Sequence, residues 1–307
     1  QMEIFKFLIY FYMILALASL ALGFYRLFFG RKFRFERALS IAFFTAFVVH
    51  ALNLALRAYI SGHAPWSDAY ESLVYISFIS VLAGVLFFKH QSFALGAASL
   101  FASVSLLVAH LNFINPQITN LVPVLKSFWL SVHVSVITAS YGFLGFGFVL
   151  GLVGLILMAL KNDKNEQKLS EQIRYLVATD ELSLIIGLSL LTIGNFLGGV
   201  WANESWGRYW GWDSKESWSY ITIIVYAIVL HLRFIPKLRG VFAFLTASVL
   251  SFASVLFTYF GVNFYLSGLH SYANGESFGV SGLIYLILAA LALLIALAYR
   301  GRDIKVV

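Results

Sequence analysis

Long apolar runs dominate this chain, and short clusters of charged, glycine, serine or asparagine residues separate them. A helix that crosses about 30 Å of hydrocarbon needs about 20 apolar residues. Nine runs reach that length or come near it, at roughly residues 4–29, 38–60, 72–88, 93–113, 128–160, 182–200, 218–235, 241–264 and 282–299. The third and seventh are short, so their ends are expected to shift by a few residues. The first is too long for a signal-peptide core and lacks a small-residue cleavage pattern, so it counts as a span. The expected fold is an all-α, polytopic integral membrane bundle of about nine transmembrane helices. Residues 1–307 would form a single membrane domain without internal repeats. Residues 161–180 read as its one long charged connector, solvated on the cytoplasmic side.

Composition agrees with the pattern. The chain is 61% hydrophobic and 11% charged, with a mean hydropathy of +0.86. A soluble domain carries roughly 25% charged residues, and a disordered chain is polar and poor in aromatics. The net charge of +7 raises the question of a nucleic-acid partner, and the placement of the basic residues answers it. Sixteen of the 21 Lys and Arg residues fall at one set of alternating span ends and five at the other (Lys6, Arg57, Lys126, Arg208 and Lys215). That asymmetry is the positive-inside signal. It places the N-terminus outside and the C-terminus in the cytoplasm, and it leaves the charge as weak grounds for nucleic-acid binding. The first residue is Gln rather than Met, which fits a processed product or one segment of a longer polypeptide. There is no cysteine, hence no disulfide, thiolate metal site or cysteine nucleophile belonging to the chain.

Candidate chemistry concentrates outside the membrane. Five of the seven tryptophans lie within residues 201–218: Trp201, Trp206, Trp210, Trp212 and Trp218. An interfacial aromatic belt accounts for Trp201 and Trp218, which flank spans. It accounts poorly for the dense middle of the run, where Gly207, Arg208, Gly211 and Asp213 interleave with the indoles. Glycines there would let a flat object approach the backbone, so the favoured reading is a planar aromatic or macrocyclic ligand. Counting 1.5 Å per residue from the far end of its run, His133 stands roughly 12 Å beyond the hydrocarbon edge, at the level of the tryptophans. His270 also lies outside, so the two form a candidate bis-histidine site for a haem iron. His231 lies ~20 Å below Trp218, toward the cytoplasmic third of the bilayer. It reads either as a buried, hydrogen-bonded residue or as a second ligand site. His50, mid-span, reads as structural. His90 reads as solvated, and His63 and His110 receive no role. Arg208 and Arg57 are candidate partners for two carboxylates, against a plain reading of helix-end snorkelling.

The stretch from Trp206 to Glu216, Trp-Gly-Arg-Tyr-Trp-Gly-Trp-Asp-Ser-Lys-Glu, resembles the tryptophan-rich WGxxWxWD signature of the haem-handling membrane protein family. It is most similar to the CcsA (ResC) branch of the cytochrome c synthases, in the CcsB–CcsA system. The likeness extends through Ser61–Trp66 with Tyr70–Ser72, Trp129–Ser135 with Tyr141–Gly142, Leu230–Arg233 and Gly261–Tyr272, covering most of residues 50–275. One departure is Ser214, where the signature leads one to expect proline.

The resemblance implies delivery of haem b across the membrane and its covalent attachment to the CxxCH motif of apocytochrome c. His133 and His270 would be axial ligands of the haem iron and the residues of the catalytic site. Trp201, Trp206, Gly207, Arg208, Trp210, Trp212, Asp213, Trp218 and His231 would bind the haem, His231 ligating iron at the membrane site. It also implies CcsB, separate or fused, as the source of a partner histidine for His231, and a thiol-reducing, thioredoxin-like protein. The setting would be a bacterial inner membrane with the active site on its periplasmic face, or a thylakoid membrane. Two alternatives stand: a haem exporter or chaperone of CcmC type that forms no thioethers, and an ion- or proton-coupled transporter with a histidine relay.

Overall fold

The computed structural model of the protein describes residues 2–30, 35–87, 92–111, 114–118, 127–266 and 282–303. They form helices α1 (Met2–Phe29), α2 (Phe35–Ser61), α3 (Ala69–Leu86), α4 (Ser92–Ala109) and α5 (Phe128–Ala159). These are followed by α6 (Glu166–Trp206), α7 (Ser214–His231), α8 (Val241–Leu256), the single-turn α9 (Val262–Tyr265) and α10 (Gly282–Ala298). A π-helical turn, Phe257–Gly261, joins α8 to α9. Among the described residues there is no strand, and nine helices are long and apolar enough to cross a membrane, as the hydrophobic pattern predicts.

The short spans begin earlier than their apolar runs. α3 starts at Ala69 because Asp68 caps it, accepting the Glu71 amide at 2.7 Å. α7 starts at Ser214 because Asp213 and Glu216 form a capping box. A polar cap supplies partners for the orphan amides of the first turn, so it sets where the helix begins whatever the hydropathy of that turn.

The expected connector over residues 161–180 is corrected by the structure. Most of it is the first third of α6, a continuous helix of 41 residues. Leu169, Ile173, Leu176 and Asp180, spaced by three or four, are buried on its inner face. Charges on the opposite face mask that stripe when hydropathy is averaged along the chain.

α5 is the central post of the bundle, touching α3, α4, α6, α8 and α10. Its glycines serve different neighbours. A Cβ on Gly142 would meet Ile79 of α3, one on Gly147 would meet Asp180 and Leu184 of α6, and one on Gly151 or Gly154 would meet Val249 or Leu245 of α8. Small residues let helices pack closely where lipid offers no hydrophobic driving force between them. α10 is the opposite case: nearly all its side chains are exposed.

Candidate functional site

The site is built where α5 begins, α6 ends and α7 begins. α6 stops at Gly207, which takes a left-handed φ of 70° and returns its amide to the Asn203 carbonyl at 2.9 Å. Glycine adopts this conformation without the strain a Cβ brings. The chain then turns over residues 208–213, with Trp212 itself at φ 57°. Positive φ at a bulky residue costs energy and is held only by surrounding structure. Here the holder is Glu216, whose Oε2 accepts the amides of Gly211 at 2.8 Å and Asp213 at 3.2 Å.

These contacts give the expected binding residues distinct places. Asp213 directs its carboxylate at the first turn of α7, accepting the Lys215 amide at 2.8 Å. Ser214 is the first residue of α7, the helical position where proline is best tolerated because no intrahelical partner awaits its amide. The departure from the expected proline therefore leaves the turn intact. Gly211 makes room for the Arg208 guanidinium, which lies across it. That is a different reason for glycine from close approach of a ligand.

The tryptophans divide into two groups. Trp201 is buried, 2% exposed, with Trp206 edge-on at 4.8 Å. Trp218 packs on Phe257 of the π-helical turn at 4.1 Å between ring centroids. Trp201 therefore belongs to the interior of the bundle end rather than to an interfacial belt. Trp210 is half-buried, and Trp212 is 73% exposed and edge-on to it at 5.8 Å. With Tyr209 and Tyr220 they form an aromatic shelf over a cavity of about 430 Å³, bounded on α6 by Thr192, Asn195, Phe196 and Gly199.

Behind that shelf lies a smaller cavity of about 150 Å³ that contains His133, Tyr141, Trp201, Trp210, Lys215 and Thr258. The two cavities share Asn195, Gly199, Tyr209 and Trp210 as a common wall. The structure thus brings His133 together with Trp201 and Trp210. The His133 ring crosses from α5 to α6, donating Nδ1–H to the Gly194 carbonyl at 2.7 Å. A carbonyl only accepts, so Nδ1 carries the proton of this bond. Gly198 makes the approach feasible, since a Cβ there would lie 2.6 Å from His133 Cε1. Lys215 Nζ donates to Asn263 Oδ1 at 3.1 Å, tying α7 to α9. Sequence reading missed Gly198, Gly199, Asn195 and Lys215. The Gly-Gly doublet inside an apolar helix was the one local signal for them.

His270 and His90 lie outside the described residues. His231 ends α7, exposed, with Nδ1–H donated to the Ala227 carbonyl of its own helix at 2.7 Å. Just beyond it, Arg233 forms an ion pair with Glu181 of α6. The other described histidines bond to neighbours of their own. His50 is buried with Nδ1 3.3 Å from the Tyr12 hydroxyl. His110 bonds the Leu106 carbonyl at 2.8 Å and lies 3.3 Å from the Tyr70 hydroxyl. His63 bonds the Ala64 carbonyl at 3.0 Å.

Arg57 is not available to an external carboxylate. It is buried, with Nε on Glu71 Oε1 at 2.8 Å, Nη1 on the Pro116 carbonyl at 3.2 Å, and its guanidinium over the Tyr70 ring. Asp68, 3.9 Å from Arg57, completes the cluster. Burial, the largest influence, pushes the Asp68 carboxyl up to about 6 despite that nearby cation. The cluster holds the loop before α3 against α5, where Trp66 Nε1 donates to the Ser131 carbonyl at 3.0 Å, two residues from His133.

Among the described residues the protein is thus a bundle of nine helices long enough to cross a membrane, with an aromatic, histidine-containing cavity at one end. Comparison with known proteins narrows the class. Residues 66–270 match the family described as cytochrome C assembly protein, and the chain belongs to that family. It is 53% identical over 278 residues to Protein NrfI of Wolinella succinogenes, an alignment covering 90% of this chain and 31% of NrfI. It is 34% identical over 273 residues to the cytochrome c biogenesis protein CcsA of Prochlorococcus marinus, covering 79% of this chain and 87% of that protein. Among solved structures, cytochrome c heme lyase CcmF shares the fold, with a TM-score of 0.63 and 16% identity over 98% of this chain and 51% of CcmF. The chain therefore spans about a third of NrfI and half of CcmF.

Proposed function

We propose that this chain carries haem b from the cytoplasmic side of a membrane to its outer face and holds it there for covalent attachment to apocytochrome c. In this reading the chain is a single membrane domain, oriented by its basic residues with residues 201–218 outside, in the periplasm or the thylakoid lumen. The observation that carries the proposal is the His133 cavity. The His133 imidazole, held across to α6 through Nδ1, lies beside Trp201 and Trp210, one aromatic wall from the exposed shelf. Rotation of Tyr209 and Trp210 would merge the two cavities into a space within the roughly 300–1,000 Å³ of small-molecule sites. His133 from below and His270 from the segment after α9 would be the axial ligands, with the indole shelf against the macrocycle.

The chain has no cysteine, so both thiols come from the CxxCH motif of the substrate. Each S–H adds across a haem vinyl group, sulfur to one carbon and hydrogen to the other, with no net change in oxidation state. Work of this kind is mostly positioning. The substrate histidine then replaces one axial imidazole, and the product leaves. His231 would take haem at the other end of α7, with a second ligand from CcsB, and a thioredoxin-like protein would keep the substrate thiols reduced. Relatives named CcsA and the fold shared with a haem lyase favour ligation over simple haem carriage.

The test is coexpression with CcsB and an apocytochrome c, followed by denaturing electrophoresis and haem staining. Haem retained on the cytochrome, and lost with His133→Ala, is the expected result. Haem bound by the membrane protein, with no covalent product in any combination, would leave only a carrier and overturn the proposal.

A further inference from the structure

A second polar site lies in the bundle, where α7 ends at His231, and none of the chemistry above uses it. Asp180 of α6, Tyr226 of α7 and Ser248 of α8 are all fully buried. Both Asp180 carboxylate oxygens, the Tyr226 hydroxyl and the Ser248 hydroxyl lack a hydrogen-bond partner. The three side chains nonetheless face one another closely: the Ser248 hydroxyl is near enough to influence Asp180 as a hydrogen-bond donor, and Tyr226 feels the Asp180 charge with Ser251 beside it. α5 leaves them room. A Cβ on Gly147 would stand 2.7 Å from Asp180 Oδ1, and one on Gly151 would stand 3.5 Å from Ser248 Oγ.

Four orphaned oxygen atoms converging from three helices need partners, because a buried polar group left unsatisfied costs free energy. A buried, ionised carboxylate also needs a positive charge. Among the described residues, no Lys, Arg or His forms an ion pair with Asp180. The neighbouring Glu181 points away, to Arg233. The facing titratable group is Tyr226, and α5 and α8 present glycine and serine. Glycines on α5 admit the Asp180 and Ser248 side chains, and water that joins buried oxygen atoms of this kind makes about three hydrogen bonds.

We propose that Asp180, Tyr226 and Ser248 form a buried site for one monovalent positive charge, a proton or an alkali-metal ion, held with bound water among α5, α6, α7 and α8. A proton would sit on a carboxyl oxygen and be donated to Tyr226, Ser248 or water. A sodium or potassium ion would take the same oxygens as ligands. The site does not depend on His231 ligating iron, so failure of the haem proposal leaves it standing.

The test uses the full chain in lipid nanodiscs, comparing infrared spectra of the wild type and Asp180→Asn at neutral pH. Loss of a protonated-carboxylic-acid carbonyl band in Asp180→Asn identifies the proton. Loss of an ionised carboxylate band identifies the metal ion if the wild-type Tm also rises in sodium or potassium chloride over choline chloride, as mass action requires, and the variant Tm does not. An ionised carboxylate whose protein shows no alkali-ion dependence overturns the proposal. Should Asp180→Asn fail to fold, Tyr226→Phe and Ser248→Ala decide. At least one is expected to shift the acid band or diminish the salt-dependent Tm rise, and no change in either variant would overturn the site.

Discussion

His133 and His231 carry the same local chemistry and sit in opposite surroundings. Each donates Nδ1–H to a backbone carbonyl at 2.7 Å. His133 makes that bond to another helix, Gly194 of α6, inside a cavity with tryptophan walls. His231 makes it to Ala227, four residues back, and is otherwise exposed at the end of α7. The first imidazole is aimed by tertiary packing, so its direction is set before any ligand arrives. The second is aimed by its own helix and stands exposed at its end. Under the proposed function, preorganisation of this kind would separate the site of positioned chemistry from the site of haem capture.

The sharpest break of this contrast is rescue. Haem loading in His231→Ala should return largely to normal with added imidazole, because the lost ring occupied an open surface. In His133→Ala the covalent product should stay down by at least the roughly 10–100-fold that even outer-shell changes cost a metal site. Equal rescue of the two variants, read from haem spectra and covalent yield, would erase the distinction. Next in size is Gly198→Val, which keeps His133 but places side-chain atoms where its ring lies. A fall of about 10-fold or more in covalent yield is expected, with haem captured at His231 unaffected; a normal yield would mean that the ring is not held against α6.

Glu216→Gln tests the turn beneath the shelf. It replaces a carboxylate that accepts two backbone amides, and charged acceptors are worth roughly 1.5–3 kcal/mol net. Faster hydrogen exchange at Gly211 and Asp213, with no change at the His231 end, is the expected pattern. The smallest effect belongs to Ser214→Pro. At the first position of α7 a less flexible unfolded chain contributes about 0.4–1 kcal/mol, set against the contact the serine itself makes there, so the net change should stay within about 1 kcal/mol. A melting temperature several degrees lower would show that residue 214 is not the first helical position.

Much of this molecule is legible along the chain because a membrane imposes a length rule that hydropathy reports directly. Nine apolar runs yield, among the described residues, nine helices long and apolar enough to span, and the tryptophan run with His133 marks the end of the bundle where the candidate site lies. The misplacements have physical causes. Asp68 and Asp213 start helices that apolar counting begins three or four residues later, since a cap acts through hydrogen bonds rather than hydropathy. Arg57 passes as a surface cation until Glu71 is seen beside it, as sequence separation conceals ion pairs formed across helices.

The amino-acid order alone therefore determined the class, the spans, the family resemblance and the residue types able to meet a haem. Those properties depend on local composition and spacing, which no folding step alters. Tertiary structure decided which tryptophans face inward, why Gly198 must be small, how His133 is aimed, and that Asp180 is buried within the bundle rather than in a solvated connector. Each of these needs atoms from separate helices within a few ångströms of one another, and only packing around α5 brings them there.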